Sequence, residues 1–165
     1  MIKYYLFILI WFSGDTFSDG PGSYPKIQQV FDDASSYCAL VEGDQTTIYK
    51  YGCLTGKEKY SIPGWHPHGY LRKQGSIFIS LYPGLNLLPL DVSNNEVMIE
   101  VWKNGHIFHQ VKLSSLINSM SSLERTVPHY HWGMFKEVKG DIIYMKTVEG
   151  TAEFNFMNGK ITLKK

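Results

Sequence analysis

Asn104-Gly105 is the feature that most restricts what this chain can fold into. It separates the runs 96–103 (Glu-Val-Met-Ile-Glu-Val-Trp-Lys) and 106–113 (His-Ile-Phe-His-Gln-Val-Lys-Leu), both rich in β-branched and aromatic residues. A two-residue type I′ turn needs positive φ at both central positions, and Asn-Gly supplies it at little steric cost. The turn predicts a register in which Lys103 faces His106, Trp102 faces Ile107, Val101 faces Phe108 and Glu100 faces His109. One face then carries Met98, Glu100, Trp102, Ile107, His109 and Val111; the other carries Val97, Ile99, Val101, Phe108, Gln110 and Lys112. Both faces are largely apolar, so the hairpin is expected to be covered on both sides.

Strand signals recur along the chain. The runs 36–41 and 46–51 flank Glu42-Gly43-Asp44 and read as a second hairpin. The run 76–82 is closed by Pro83-Gly84, and 141–147 precedes a turn at Glu149-Gly150. Around Asn158-Gly159, Phe154, Phe156, Ile161 and Leu163 share one face, while Glu153, Asn155, Lys160, Thr162 and Lys164 share the other. That alternation predicts an outer strand pair with one wet face. Leu113, Leu116, Ile117, Met120 and Leu123 fall at helical spacing, with Ser114 or Ser115 as N-cap, and predict one short helix.

Composition agrees with a β architecture. Aromatic residues make up 15% of the 165 residues, with eleven Tyr and nine Phe, and such residues favour strands. Hydrophobic residues at 44% exclude wholesale disorder. The 16 Lys and Arg against 15 Asp and Glu leave a net charge of +1, which argues against a duplex-binding protein that must displace counterions from phosphates.

The N-terminus predicts export. Lys3 precedes the apolar run 4–12, which is too short for a bilayer span of about 20 residues. A basic start followed by a short apolar run is the pattern of a secretory signal peptide, with small residues placing cleavage after Ser18; the alternative is a buried first strand. The expected organisation is signal peptide 1–18, leader 19–34 and a single all-β domain over 35–165. An integral membrane span is not expected after cleavage. Cys38 and Cys53 either pair in an oxidising compartment or stay as two separate buried thiols; the sequence leaves both open.

A rough repeat of about 50 residues relates 96–108 to 151–163, and 47–52 has similar character. Three such units cannot close an ordinary propeller ring. The fold expected is therefore all-β, with antiparallel meanders in three open, propeller-like repeats and one short helix. A two-sheet β-sandwich is the alternative.

A succession of elements carries a resemblance: Tyr60-Ser-Ile-Pro-Gly-Trp65, Gly75-Ser-Ile-Phe-Ile-Ser-Leu-Tyr-Pro83, the hairpin through Val101-Trp-Lys-Asn-Gly105, the Leu113-Ser-Ser-Leu116 segment, and His129-Tyr-His-Trp-Gly133 before a final hairpin. Together, over residues 35–165, they resemble a group of uncharacterised bacterial exported proteins with propeller-like β repeats. The resemblance implies an extracytoplasmic β protein, periplasmic or secreted, and brings with it no activity and no active-site residue. The chain has no Asn-x-Ser/Thr acceptor, which fits a bacterial origin.

Four of the six histidines form two His-X-His pairs, His66-Pro67-His68 and His129-Tyr130-His131. In a strand, positions i and i+2 point the same way, so each pair can present two imidazoles to one metal. If the pairs met in space they would make a zinc or copper site, and with it a metal-binding protein or a metal-dependent hydrolase. Against this, Pro67 suggests a loop and no carboxylate stands at ligand-like spacing. Glu100 and His109, as cross-strand neighbours, suggest either a carboxylate-oriented general base or a polar pair satisfying itself inside a sheet. Trp65, Trp102 and Trp132 could stack on sugar rings, but a core role explains them better.

The stretch 82–91 is a loop by its prolines yet carries four leucines. Tyr82, Leu85, Leu87, Leu88 and Leu90 are therefore candidates for a protein-partner surface, or for a lid folded onto the core. The chain has no Gly-x-Ser-x-Gly elbow, P-loop, dinucleotide fingerprint or His-Glu-x-x-His. The reading is an exported, non-catalytic binding or structural domain needing no cofactor, with the metal protein as the alternative.

Overall fold

The structure, a computed structural model, describes residues 28–32 and 34–165. The expected signal peptide lies outside the described residues. Strands β1 (Gln28–Phe31), β2 (Tyr37–Glu42), β3 (Gln45–Lys50) and β4 (Lys57–Pro63) follow one another as an antiparallel meander. The expected hairpin is there, with Glu42 opposite Gln45 around Gly43 at φ +58°. Strand β1 falls inside the segment read as a leader; Val30 pairs with Ala39 and Phe31 with Cys38.

The chain continues through β5 (Gly69–Arg72), β6 (Ile77–Leu81), β7 (Leu87–Pro89), β8 (Val97–Lys103) and β9 (His106–Lys112). Of these, β5, β6, β8 and β9 form a second meander. β7 leaves it to pair with β11 (His129–His131), beside β10 (Glu124–Arg125), in a small three-stranded sheet. A last meander contains β12 (Gly133–Lys139), β13 (Ile142–Thr147), β14 (Gly150–Asn155) and β15 (Ile161–Lys164). Four antiparallel sheets, none closed on itself, replace the two sheets of a sandwich.

The second meander is the middle layer. Leu71, Phe78 and Trp102 make one cross-strand row and pack with Ala39, Ile48 and Ile62 of the first sheet. Ile77, Ile79, Leu81, Ile99 and Val101 join Ile143, Met145, Ala152 and Phe154 of the last sheet, with Leu88 and Trp132 of the small one. All five residues of β6 are buried. This explains why its sequence is a continuous apolar run with Ser80 as the exception. Each fully buried Ile or Phe contributes about 1.5–3 kcal/mol over an exposed one.

The first two sheets repeat one another. The row Val30, Ala39, Ile48 and Tyr60 crosses the first sheet, and Tyr70, Ile79, Val101 and His109 cross the second. In both, a bulge follows the third residue, at Ile48/Tyr49 and at Val101/Trp102. In both, the fourth residue lies under a turn glycine of the next meander. A Cβ on Gly105 would lie 3.5 Å from the Tyr60 ring, and one on Gly159 would lie 2.9 Å from the His109 imidazole.

That bulge corrects the predicted hairpin register. Lys103 faces His106 and Trp102 faces Ile107 as expected, but Val101 then faces His109 and Glu100 faces Gln110. The Gln110 amide donates to the Glu100 carboxylate at 2.8 Å. The expected Glu100–His109 pair does not form. β8 is covered on both faces, whereas β9 is an edge strand and largely exposed.

The expected short helix is also corrected. Leu113, Leu116, Ile117 and Leu123 are buried as their spacing suggests. Yet the segment makes only two 3₁₀ turns, Leu113–Ser115 and Met120–Ser122. The serines divert the backbone: the Ser119 hydroxyl accepts from Ser121 N at 3.2 Å. The Glu149 carboxylate also accepts from Asn118 N at 3.0 Å. These local partners compete with helical hydrogen bonds.

The last hairpin keeps its predicted faces. Phe154 lies opposite Ile161 and Ala152 opposite Leu163, while Glu153 pairs with Lys164 on the other face.

Candidate functional site

The two His-X-His pairs occupy different places. His66 lies in the connection between β4 and β5, buried between the first two sheets. Its Nε2 lies 3.0 Å from the Pro63 carbonyl and its Nδ1 lies 2.8 Å from the Ser80 hydroxyl. Phe78 and Trp102 meet the ring edge-on, at 5.9 and 6.0 Å between centroids. Both nitrogens are committed to the protein, so neither presents a lone pair to a metal. His68 is hydrogen-bonded to the Pro83 main chain, and burial lowers its pKa against that bond.

His129 and His131 sit on β11, opposite Pro89 and Leu87 of β7. They share the face turned away from buried Leu88, as i and i+2 spacing requires. His131 Nδ1 lies 3.4 Å from the exposed Glu124 carboxylate. No group of three or more His, Cys, Asp or Glu side chains is gathered for a metal ion among the described residues. The structure does not bring the four imidazoles together.

His109, expected beside Glu100, packs between aromatic rings instead: Phe108 at 4.2 Å and Phe154 at 6.4 Å. Trp102 and Trp132 are core residues. The Trp132 indole donates to the Leu85 carbonyl at 2.6 Å.

The leucine loop is folded down rather than offered outward. Leu88 is fully buried, Leu87 and Leu88 belong to β7, and Tyr82, Leu85 and Leu87 are half-buried. Only Leu90 among the five candidates is exposed, at 41%. Burial raises the Tyr82 pKa, with Glu96 and Asp91 adding to it. Of the two readings of this loop, the lid describes it better than the partner surface.

Cys38 and Cys53 form a disulfide, with Cα atoms 5.3 Å apart. It ties β2 to the connection between β3 and β4. No helix among the described residues is long and apolar enough to cross a membrane.

A concave feature lies elsewhere, between the β5–β6 turn and the β12–β13 turn. It is a cleft of about 440 Å³ lined by Arg72, Lys73, Val138, Lys139, Gly140, Asp141 and Phe156. Its charged lining residues are Arg72, Lys73, Lys139 and Asp141, and Phe156 beside them is fully buried. Lys73 Nζ lies 2.7 Å from Asp141 Oδ1. The Arg72 guanidinium donates to the Val138 carbonyl at 3.4 Å and lies over the Tyr70 ring at 5.9 Å.

The wall carrying Lys73 is fixed by an unusual backbone. Lys73, Gln74 and Gly75 take φ of +52°, +54° and +67° in succession, a conformation that disfavours side-chain-bearing residues. The first meander clamps this turn. Lys59 Nζ donates to the Gln74 carbonyl at 2.9 Å, and a Cβ on Gly75 would lie 2.6 Å from the Tyr37 ring. The first meander thus braces one wall, while the lining itself comes from the second and last meanders.

Sequence reasoning missed these residues. Arg72-Lys73 and Lys139-Gly140 carry no motif in the sequence, and nothing local says that they face one another. No family model matches the sequence, and no curated protein is significantly similar to it.

Proposed function

We propose that this chain is an exported, non-catalytic binding domain whose binding face is the cleft between the second and last meanders. One contrast carries the reading. The groups best suited to chemistry are engaged in packing: His66 with Ser80 and Pro63, His68 with Pro83, Trp132 with Leu85. Arg72, Lys73 and Lys139 line an open cleft, with Arg72 bonded to the Val138 carbonyl and Lys73 paired with Asp141. Its volume of about 440 Å³ is within the span of small-molecule sites, about 300–1,000 Å³. Export is supported by the Cys38–Cys53 disulfide, since such bonds persist in oxidising compartments, and by the signal-like N-terminal sequence.

The shared rows and bulges of the first two sheets support treating the meanders as propeller-like units stacked without ring closure. That agrees with the resemblance to exported bacterial proteins of this kind.

The experiment is an amide-shift map of ¹⁵N-labelled protein titrated with a chemically diverse fragment set. Saturable shifts concentrated at 72–75 and 138–141 are expected. Shifts centred on Tyr82 and Leu90, or none that saturate, would contradict the reading.

A further inference from the structure

We propose that two copies of this chain stack head to tail and close a ring that one copy leaves open. The free face of the first sheet of each copy sits on the free face of the last sheet of the other; this rests on reading the meanders as propeller-like units. Within the chain one junction is made twice. The turn between the third and fourth strands of a meander lies against the fourth strand of the meander before it: Gly105 against the Tyr60 ring, and Gly159 against the His109 imidazole.

Each end of the stack offers half of that junction. The corresponding turn of the first meander is residues 51–56, between β3 and β4. Leu54 in it is 81% exposed and Tyr51 71%, although the Cys38–Cys53 disulfide fixes the turn to β2. At the other end, β15 is the fourth strand of the last meander. Its outward face carries Thr162, in register with Glu153 and Tyr144, beside exposed Lys164.

Both free faces carry an apolar strip. On the first sheet Val30, Ala39 and Ile48 face the second sheet, so the alternate residues point away from it. Among these, half-exposed Phe31 lies in register with Cys38 and Tyr49, beside Leu40. On the last sheet Ile143 and Met145 face inward, so Met134, Ile142 and Tyr144 lie on the free face.

Charge sets the orientation. The register places Glu42 and Glu58 on the free face of the first sheet. It places Lys139, Lys146 and Lys164, against Glu137 and Glu153, on that of the last. Two first sheets face to face would set carboxylate against carboxylate, whereas first on last brings opposite charges together. Closure sets the number. Head-to-tail contacts make a ring when their rotation returns to its start. Three four-stranded sheets per chain make six for a pair, within the range of about four to eight that closes a propeller, and a third copy would exceed it.

The test is sedimentation of the untagged chain across a wide concentration range, with small-angle scattering for shape. A compact species of twice the chain's mass is expected. Leu54→Asp should weaken association roughly tenfold or more. Ile107→Asp, at an apolar side chain 52% exposed on β9, should leave it unchanged. Lys146→Glu and Glu58→Lys should each weaken it alone. Mixed in equal amounts they should recover it, because the two altered faces then meet with their charges exchanged. Melting curves report that each variant remains folded. A monomer at every concentration would overturn the proposal and leave the face to a different protein. Lys146→Glu without effect where Leu54→Asp dissociates the pair would mean pairing of like faces, and would also overturn it. An elongated pair would overturn the ring and the propeller-like reading together. None of these results touches the cleft, which the fragment titration tests separately.

Discussion

The Nδ1 of His66 lies 2.8 Å from the Oγ of Ser80, across the boundary between the first and second meanders. Because Nε2 faces the Pro63 carbonyl at 3.0 Å, it must carry the proton. In the neutral ring Nδ1 therefore accepts from the Ser80 hydroxyl. One side chain thus joins the end of β4 to the middle of β6. His66→Ala would remove both bonds and leave a hole beside Phe78 and Trp102. The expected loss is about 2–4 kcal/mol, read from the urea midpoint at constant m. A loss below 0.5 kcal/mol would mean that the imidazole is not part of the packing.

The Cys38–Cys53 bond closes a loop with a sequence separation of 15. In the chain-entropy description a loop of this size is worth about 3 kcal/mol. Reduction, or Cys38→Ala with Cys53→Ala, should lower unfolding free energy by about that amount. Urea unfolding with and without reductant is the check. Equal midpoints would show that the bond constrains nothing that the β2–β3 pairing does not already hold.

Glu149 predicts a pH dependence. Hydrogen bonds from the Ser122 hydroxyl and then from Asn118 pull its pKa below the ordinary value of 4.5. A carboxylate depressed in the folded state contributes stability above its unfolded pKa and loses it as pH falls through the folded one. Wild type should therefore lose stability on acidification below about pH 4.5, and Glu149→Gln should lose less over the same window. Thermal melts between pH 3 and 6 compare the two. Parallel curves would mean that the 3₁₀ turns do not depend on this carboxylate.

The leucine loop separates core from surface at two neighbouring positions. Leu88→Ala should cost about 2–5 kcal/mol, as for other buried leucines, whereas Leu90→Ala, at a side chain 41% exposed, should stay within about 0.5 kcal/mol. Equal effects would return the loop to the status of an exposed partner surface.

Much of the strand content was legible because turn chemistry is local. Asn104-Gly105 and Asn158-Gly159 stand where two hairpins turn. What failed was longer in range. The Val101/Trp102 bulge adds a residue without marking it in the hydrophobic pattern, and so His109 changed partners from Glu100 to Val101. The helical spacing of Leu113, Leu116 and Ile117 reported burial correctly, but serines and a carboxylate 31 residues away took the backbone donors. Gln28–Phe31 is too short a strand to announce itself beside a Gly- and Pro-rich leader. The cleft was hidden for a similar reason: Arg72 meets the Val138 carbonyl across 66 residues, a proximity that only the stacking of meanders creates. The histidine pairs, by contrast, were conspicuous in sequence; His66 and His68 are hydrogen-bonded within the fold, while His129 and His131 lie side by side on one face of β11.

The most direct measurement is elemental analysis of untagged protein purified without chelators, alongside His129→Ala with His131→Ala. A binding domain with no metal centre should carry no stoichiometric zinc or copper, and its melting temperature should not move with added zinc or chelator. One equivalent of metal per chain, lost in the double variant, would contradict that assignment and make these imidazoles the functional centre.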